Sequence, residues 1–170
     1  KYPIYAAQLD TASGVFFSEK LLMEGVDVVL AAYKQLKNSK FVVEETEKSI
    51  DTPTIRGKVD RVDGTDKYVR IIDYKTGNPN LDLSTIKYGI GMQLPVYLYL
   101  AKNSNKLTNV KVAGFYLQKV LNNEVTVDKT HTYQQLKKKN LLLQGYSNEN
   151  ISILSEFDNS YMDSNIIKSM

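Results

Sequence analysis

Two short segments rich in β-branched residues, 54–63 and 68–75, flank the tetrapeptide Gly64-Thr65-Asp66-Lys67. This strand–turn–strand signature predicts a β-hairpin. Side chains alternate faces along a strand, so Asp73 and Lys75 share one face and Tyr74 lies on the other. If the turn centres between Thr65 and Asp66, Asp63 pairs with Tyr68 and Asp60 faces Ile71. Asp60 and Asp73 then become diagonal neighbours on one face, roughly 7–8 Å apart at Cα. Two carboxylates at that separation can reach one divalent ion. A slip of one residue would send them to opposite faces.

Around the hairpin, Val15, Leu22, Val26, Val29 and Leu30 recur at helical spacing within 11–37, with Ser13 as a possible cap. Gly14 and Gly25 weaken that helix. Residues 41–50 read as a strand and 93–101 as an apolar helix that starts near Ile86 or Tyr88. A buried strand follows over 110–120, with Ala113, Phe115 and Leu117 on one face, and 124–127 could extend it as a hairpin. A polar helix is expected over 132–144. The order helix, three strands, helix, strand, helix predicts a mixed α/β sandwich in a single domain over 1–170. Lys1 in place of a methionine suggests a piece of a larger protein.

The chain has no cysteine, and its only histidine is His131. Disulfides, thiolate metal sites and a cysteine nucleophile are excluded within it. Metal chemistry here must rest on oxygen ligands, which favours Mg²⁺ or Mn²⁺ over Zn²⁺. A net charge of +3 is too small to identify a nucleic-acid binder by itself, although Lys137, Lys138 and Lys139 are consecutive. These lysines fit phosphate contacts, and they fit a solvated helix face better.

Phosphodiester hydrolysis needs an activated water and neutralised phosphate charge, and a metal held by Asp60 and Asp73 supplies both. Lys75 can orient the water or stabilise developing charge, and the Tyr74 carbonyl can add an oxygen ligand. The tripeptide Asp73-Tyr74-Lys75 alone fits a solvated strand edge with a surface ion pair equally well. Asp63 and Asp66 read as turn residues.

The pattern is longer than that tripeptide. Gly57-Lys58-Val59-Asp60-Arg61-Val62-Asp63, then Ile71-Ile72-Asp73-Tyr74-Lys75-Thr76-Gly77, then Gln93-Leu94-Pro95-Val96-Tyr97-Leu98 resembles the nuclease domains of the RecB-like PD-(D/E)XK family. Within it the likeness is to the AddB/RexB group of helicase–nuclease subunits. The resemblance implies a restriction-endonuclease-like core, a central mixed sheet flanked by helices. It assigns metal ligation to Asp60 and Asp73 and catalysis to Lys75. Gln93 and Tyr97 match the family's Gln-x-x-x-Tyr motif, with Gln93 near the metal or the DNA backbone and Tyr97 supporting it; Gln93 capping or satisfying a neighbouring strand, with Tyr97 as core, is the alternative. It also implies a Mg²⁺-dependent deoxyribonuclease working on single-stranded DNA in double-strand break repair, beside an AddA/RexA-like partner in the bacterial cytoplasm.

Two departures stand out. Many AddB proteins carry four cysteines that bind an iron–sulfur cluster, and this chain has none. Some relatives place a histidine ligand on the first helix; here Glu19 or Glu24 is the available substitute, although both fit a solvated helix face better, and Glu44 and Glu45 on the first strand are comparable candidates. Alternative readings are a stand-alone RecB-like exonuclease, or an inactive nuclease fold that binds DNA or docks another protein of the complex.

Overall fold

A computed structural model describes residues 9–51, 53, 55–78, 81–103, 110–121, 125 and 129–168. The suggested hairpin over 124–127 falls almost wholly outside these residues. Five strands form one sheet in sequence order: β1 (Val42–Asp51), β2 (Arg56–Gly64), β3 (Tyr68–Lys75), β4 (Lys111–Lys119) and β5 (Gln144–Ser147). β3 and β4 are parallel, and every other neighbouring pair is antiparallel. A parallel pair needs a crossover. It is made by a 3₁₀ turn, Leu83–Tyr88, and helix α2, Gln93–Asn103. Helix α1 (Ala12–Lys37) precedes the sheet, while α3 (Tyr133–Asn140) and α4 (Ile151–Phe157) flank β5 in sequence. This is the mixed, helix-flanked sheet that the sequence predicts.

Two apolar clusters lie on the sheet. Ile50, Val59, Val62, Val69, Ile71 and Leu100 join beneath α2, while Phe41, Ile72, Ala113, Tyr116, Leu143, Ile153 and Phe157 join beneath α4. Ala113 and Phe115 were expected on one face, but Ala113 belongs to the α4 side and Phe115 packs on the α2 side. The cause is a register shift: Val69 pairs with Val112 and Arg70 with Gly114, so Ala113 is an extra residue that reverses the alternation. Tyr116 is fully buried, and its hydroxyl shares a 2.6 Å hydrogen bond with Ser147. Burial pushes its phenol up to about 12. That contribution to stability is intact below about pH 10 and is lost as pH rises towards 12, a change of about 2–3 kcal/mol. Tyr116→Phe is expected to cost about 1 kcal/mol at neutral pH and to flatten this alkaline loss. Urea unfolding at neutral pH and near pH 11 checks it, and parallel losses in both proteins would refute it.

The hairpin register is shifted from the expected one. Asp63 pairs with Arg70 and Gly64 with Val69, so the turn centres between Asp66 and Lys67. Thr65 closes it, with its N–H on the Tyr68 carbonyl at 2.8 Å and its hydroxyl accepting from Tyr68 N–H at 3.1 Å. The register moves by two residues in total, which preserves the faces. Asp63 is no turn residue: it is fully buried between Arg61 and Arg70.

Helix ends also differ. Thr11, not Ser13, caps α1 by accepting from Gly14 N–H at 3.0 Å. The helix expected over 132–144 stops at Asn140 and residues 144–147 become β5, because Thr132 and Gln135 form a reciprocal capping box that starts a short helix, and the chain then pairs with β4. α1 is held by polar contacts: Gln35 Nε2 donates to Gln118 Oε1 at 2.6 Å, and Lys137 pairs with Asp27. Its apolar stripe therefore faces outward, with Leu22, Val26, Val29 and Leu30 all more than half exposed.

Candidate active site

The site forms where β2 and β3 part. Their ladder ends at Arg61 and Ile72. One residue further on, Tyr74 N–H donates to the Asp60 carboxylate at 2.8 Å instead of to a strand carbonyl. Strand alternation breaks at the same point, because Val59 and Val62, an odd number of residues apart, both enter the cluster under α2. Asp60 is thereby fixed against the backbone of β3 and beside Asp73.

Asp73 is buried, and two side chains contact its carboxylate. Lys75 Nζ lies 2.6 Å from Oδ2, and Gln93 Nε2 donates to Oδ1 at 2.8 Å. Lys75 also donates to Gln93 Oε1 at 2.6 Å, closing a triangle of side chains. Gln93 is the first residue of α2, and its amide reaches the Tyr97 hydroxyl one turn along at 2.9 Å. The four-residue spacing does place both on one helix face. Tyr97 also packs against the core under α2.

The electrostatics follow from this geometry. Burial pushes the Asp73 carboxyl up, Lys75 pulls it down, and the nearby Asp60 charge pushes it up again. Oδ2 accepts no directed hydrogen bond despite the adjacent ammonium. A buried carboxylate oxygen in that condition, with a second carboxylate alongside, is the donor set that a hard divalent cation needs. The residues present therefore fit such an ion through Asp60 and Asp73. Among the described residues no group of three or more histidine, aspartate or glutamate side chains could hold a metal.

Other candidates stand apart. Glu24 is buried on α1, 4.0 Å from Lys20, rather than solvated. Glu19 is exposed on the same helix, and Glu45 is paired with Lys48 at 2.6 Å. Lys75 itself is half-buried, not an exposed strand-end residue. One residue went unnoticed in the sequence. Lys119 is the ladder partner of Lys75, is buried, and donates to Asn78 Oδ1 at 2.6 Å. A charged residue ending an apolar strand was its signal, and Asn78 in the turn after Lys75 was its partner.

The sequence profile of the PD-(D/E)XK nuclease superfamily matches residues 7–159. The chain belongs to that superfamily. The mixed, helix-flanked sheet described above is consistent with that assignment. Relatives include a subunit of the ATP-dependent helicase/deoxyribonuclease of Thermoanaerobacter sp. (strain X514), 37% identical over 113 residues, which are 61% of this chain and 10% of that protein. The protein of the same name from Carboxydothermus hydrogenoformans is 30% identical over 158 residues, 86% of this chain and 14% of its own length. That of Clostridium perfringens is 28% identical over 171 residues, covering 85% and 15%. The PD-(D/E)XK chain thus spans only 10–15% of the length of these relatives. No helix among its described residues is long and apolar enough to cross a membrane.

Proposed function

We propose that this chain is the nuclease domain of a larger helicase–nuclease protein, a Mg²⁺- or Mn²⁺-dependent deoxyribonuclease. Its substrate is single-stranded DNA delivered by an AddA/RexA-like partner during double-strand break repair in the bacterial cytoplasm. The observation that carries the reading is the convergence of Asp60, Asp73, Lys75 and Gln93 at the diverging ends of β2 and β3. The helicase/deoxyribonuclease relatives favour this over a stand-alone exonuclease.

In this mechanism Asp60, Asp73 and the Tyr74 carbonyl would hold the ion. When bound, the ion supplies Lewis-acid activation of water and neutralises phosphoryl charge. Lys75, already within 2.6 Å of Asp73 and Gln93, orients the attacking water or stabilises charge on the phosphate. Gln93 holds Asp73 and Lys75 in place, and Tyr97 fixes the Gln93 amide. The chain, having no cysteine, holds no iron–sulfur cluster by its own thiolates.

A single-strand cleavage assay with metal titration tests the proposal. Mg²⁺ or Mn²⁺ should support cutting, and Ca²⁺ should support little. Undiminished cutting in excess chelator would sink it. Gln93→Ala should lower cleavage by about 10- to 100-fold, the range for groups that orient metal ligands. Tyr97→Phe, which removes only the hydroxyl, should cost less. Equal rates for wild type and Gln93→Ala would remove Gln93 from the machinery.

A further inference from the structure

A cavity of about 660 Å³ lies between the second half of α1 and α3. Lys34, Lys37, Lys137, Lys138 and Lys139 line it, against one acidic residue, Asp27, which is already paired with Lys137. Among the described residues, Lys34, Lys138 and Lys139 make no ion pair. The walls also include Leu30, Leu141 and Leu142. Gln35 lines the same cavity, is 2% exposed, and its Oε1 has no hydrogen-bond partner. A buried acceptor left in that state costs free energy that a ligand donor would recover.

Cationic rim, apolar wall and one buried acceptor together suit an anion that also carries hydrogen-bond donors and a flat apolar surface. A nucleotide has all three, in its phosphate, its sugar or exocyclic amino groups, and its base. The volume falls in the range of small-ligand sites. The cavity is also tied to the catalytic strands. Gln35 Nε2 donates to Gln118, and Gln118 is the ladder partner of Tyr74, the residue between Asp73 and Lys75.

We infer that this cavity is a nucleotide subsite, taking a phosphate on Lys34, Lys138 and Lys139 and a base or sugar donor on Gln35. It holds the single strand on the opposite side of the sheet end from the cutting site. The strand as occupant rests on the nuclease reading above; the nucleotide chemistry does not.

The test is fluorescence anisotropy of a labelled single-stranded oligonucleotide of about a dozen nucleotides, in chelator, with the full chain. The variants are Lys34→Ala/Lys138→Ala/Lys139→Ala and the matching triple arginine replacement. The alanine triple should bind about tenfold or more weakly at low salt, and its log–log salt slope should shrink by about 2. The arginine triple should bind as wild type does. Where cleavage is measurable, the alanine triple should raise KM and leave kcat unchanged. Failure of cutting with these binding effects intact would overturn the nuclease reading and keep the subsite. Displacement of the oligonucleotide by deoxyadenosine monophosphate, in wild type but not in the alanine triple, would identify a free nucleotide as occupant; no displacement would identify the strand. Unchanged affinity and slope in the alanine triple would overturn the inference, as would equally tight, equally lysine-dependent binding of poly-glutamate.

Discussion

Lys75→Ala is expected to abolish single-strand cleavage while leaving metal binding as strong as in wild type, or stronger. Lys75 Nζ lies 2.6 Å from Asp73 Oδ2, where it competes with any cation for that oxygen. Removing it frees the carboxylate for metal and deletes the cation that faces the phosphate. Loss of a fixed charge-stabilising group costs about 10²–10³ in rate. Asp73→Ala should lose cleavage and metal affinity together, because it deletes a ligand. The pair of variants thus separates catalyst from scaffold in one experiment, metal titration beside a nuclease assay. Normal cutting by Lys75→Ala would remove its catalytic role. A wild type that binds DNA but neither binds metal nor cuts would leave only the DNA-binding reading.

Asp63→Ala should be the most destabilising single change near the hairpin. Asp63 is fully buried, with Arg61 held through two hydrogen bonds at 2.6 and 2.7 Å and Arg70 through one at 2.8 Å. Burial pushes the Arg70 guanidinium down and Asp63 pulls it up; the lowering prevails. Its terminal nitrogens find no directed acceptor, and its plane lies 4.5 Å from the Phe157 ring centre and 5.0 Å from that of Phe41. Those rings supply part of the missing compensation. Without Asp63, two buried arginines lose the carboxylate that pairs with both of them, at a cost of about 3–5 kcal/mol. Domains are stable by about 5–15 kcal/mol, so a large share of the margin goes. Thermal unfolding should shift down by roughly 10 °C. A shift of under about 2 °C would show that the cluster is not what holds the hairpin.

Much of the candidate site was legible because it depends on local periodicity. Asp73 and Lys75 share a face by strand alternation, and Gln93 and Tyr97 by helix pitch. The bounds of β3 could be read directly, since Gly64–Lys67 and Thr76–Gly77 punctuate it on both sides. The hairpin register escaped because Gly64 was read as turn and instead extends β2 by one residue. The even shift kept the faces of the paired residues, and beyond the ladder the Tyr74 N–H to Asp60 hydrogen bond sets Asp60 against β3. What stayed hidden was set by long-range partners. Asp63 next to a turn looks solvated until Arg61 and Arg70 are folded around it. β5 is four residues long and exists through its pairing with β4, so no local pattern announces it. The extra residue Ala113 that reverses β4 likewise answers to β3, not to its own sequence neighbours.

The sheet's two outer strands bear on how the chain behaves in concentrated solution. An uncovered strand edge is a template for adding further chains. β1 is bulged between Val43 and Glu45, has Glu47 in the left-handed region at φ 52°, and carries Glu44, Glu45, Glu47 and Lys48 in a row of mostly charged side chains. At the opposite edge the chain folds back beside the start of β5: Leu143 N–H donates to the Ile166 carbonyl and Lys168 N–H to the Leu143 carbonyl, both at 2.8 Å. One edge is roughened and charged, and the other is occupied at its entrance. The sheet is therefore a poor seed for fibrils, and clipping the chain ahead of Ile166 would bare the edge at Leu143 that this segment now covers.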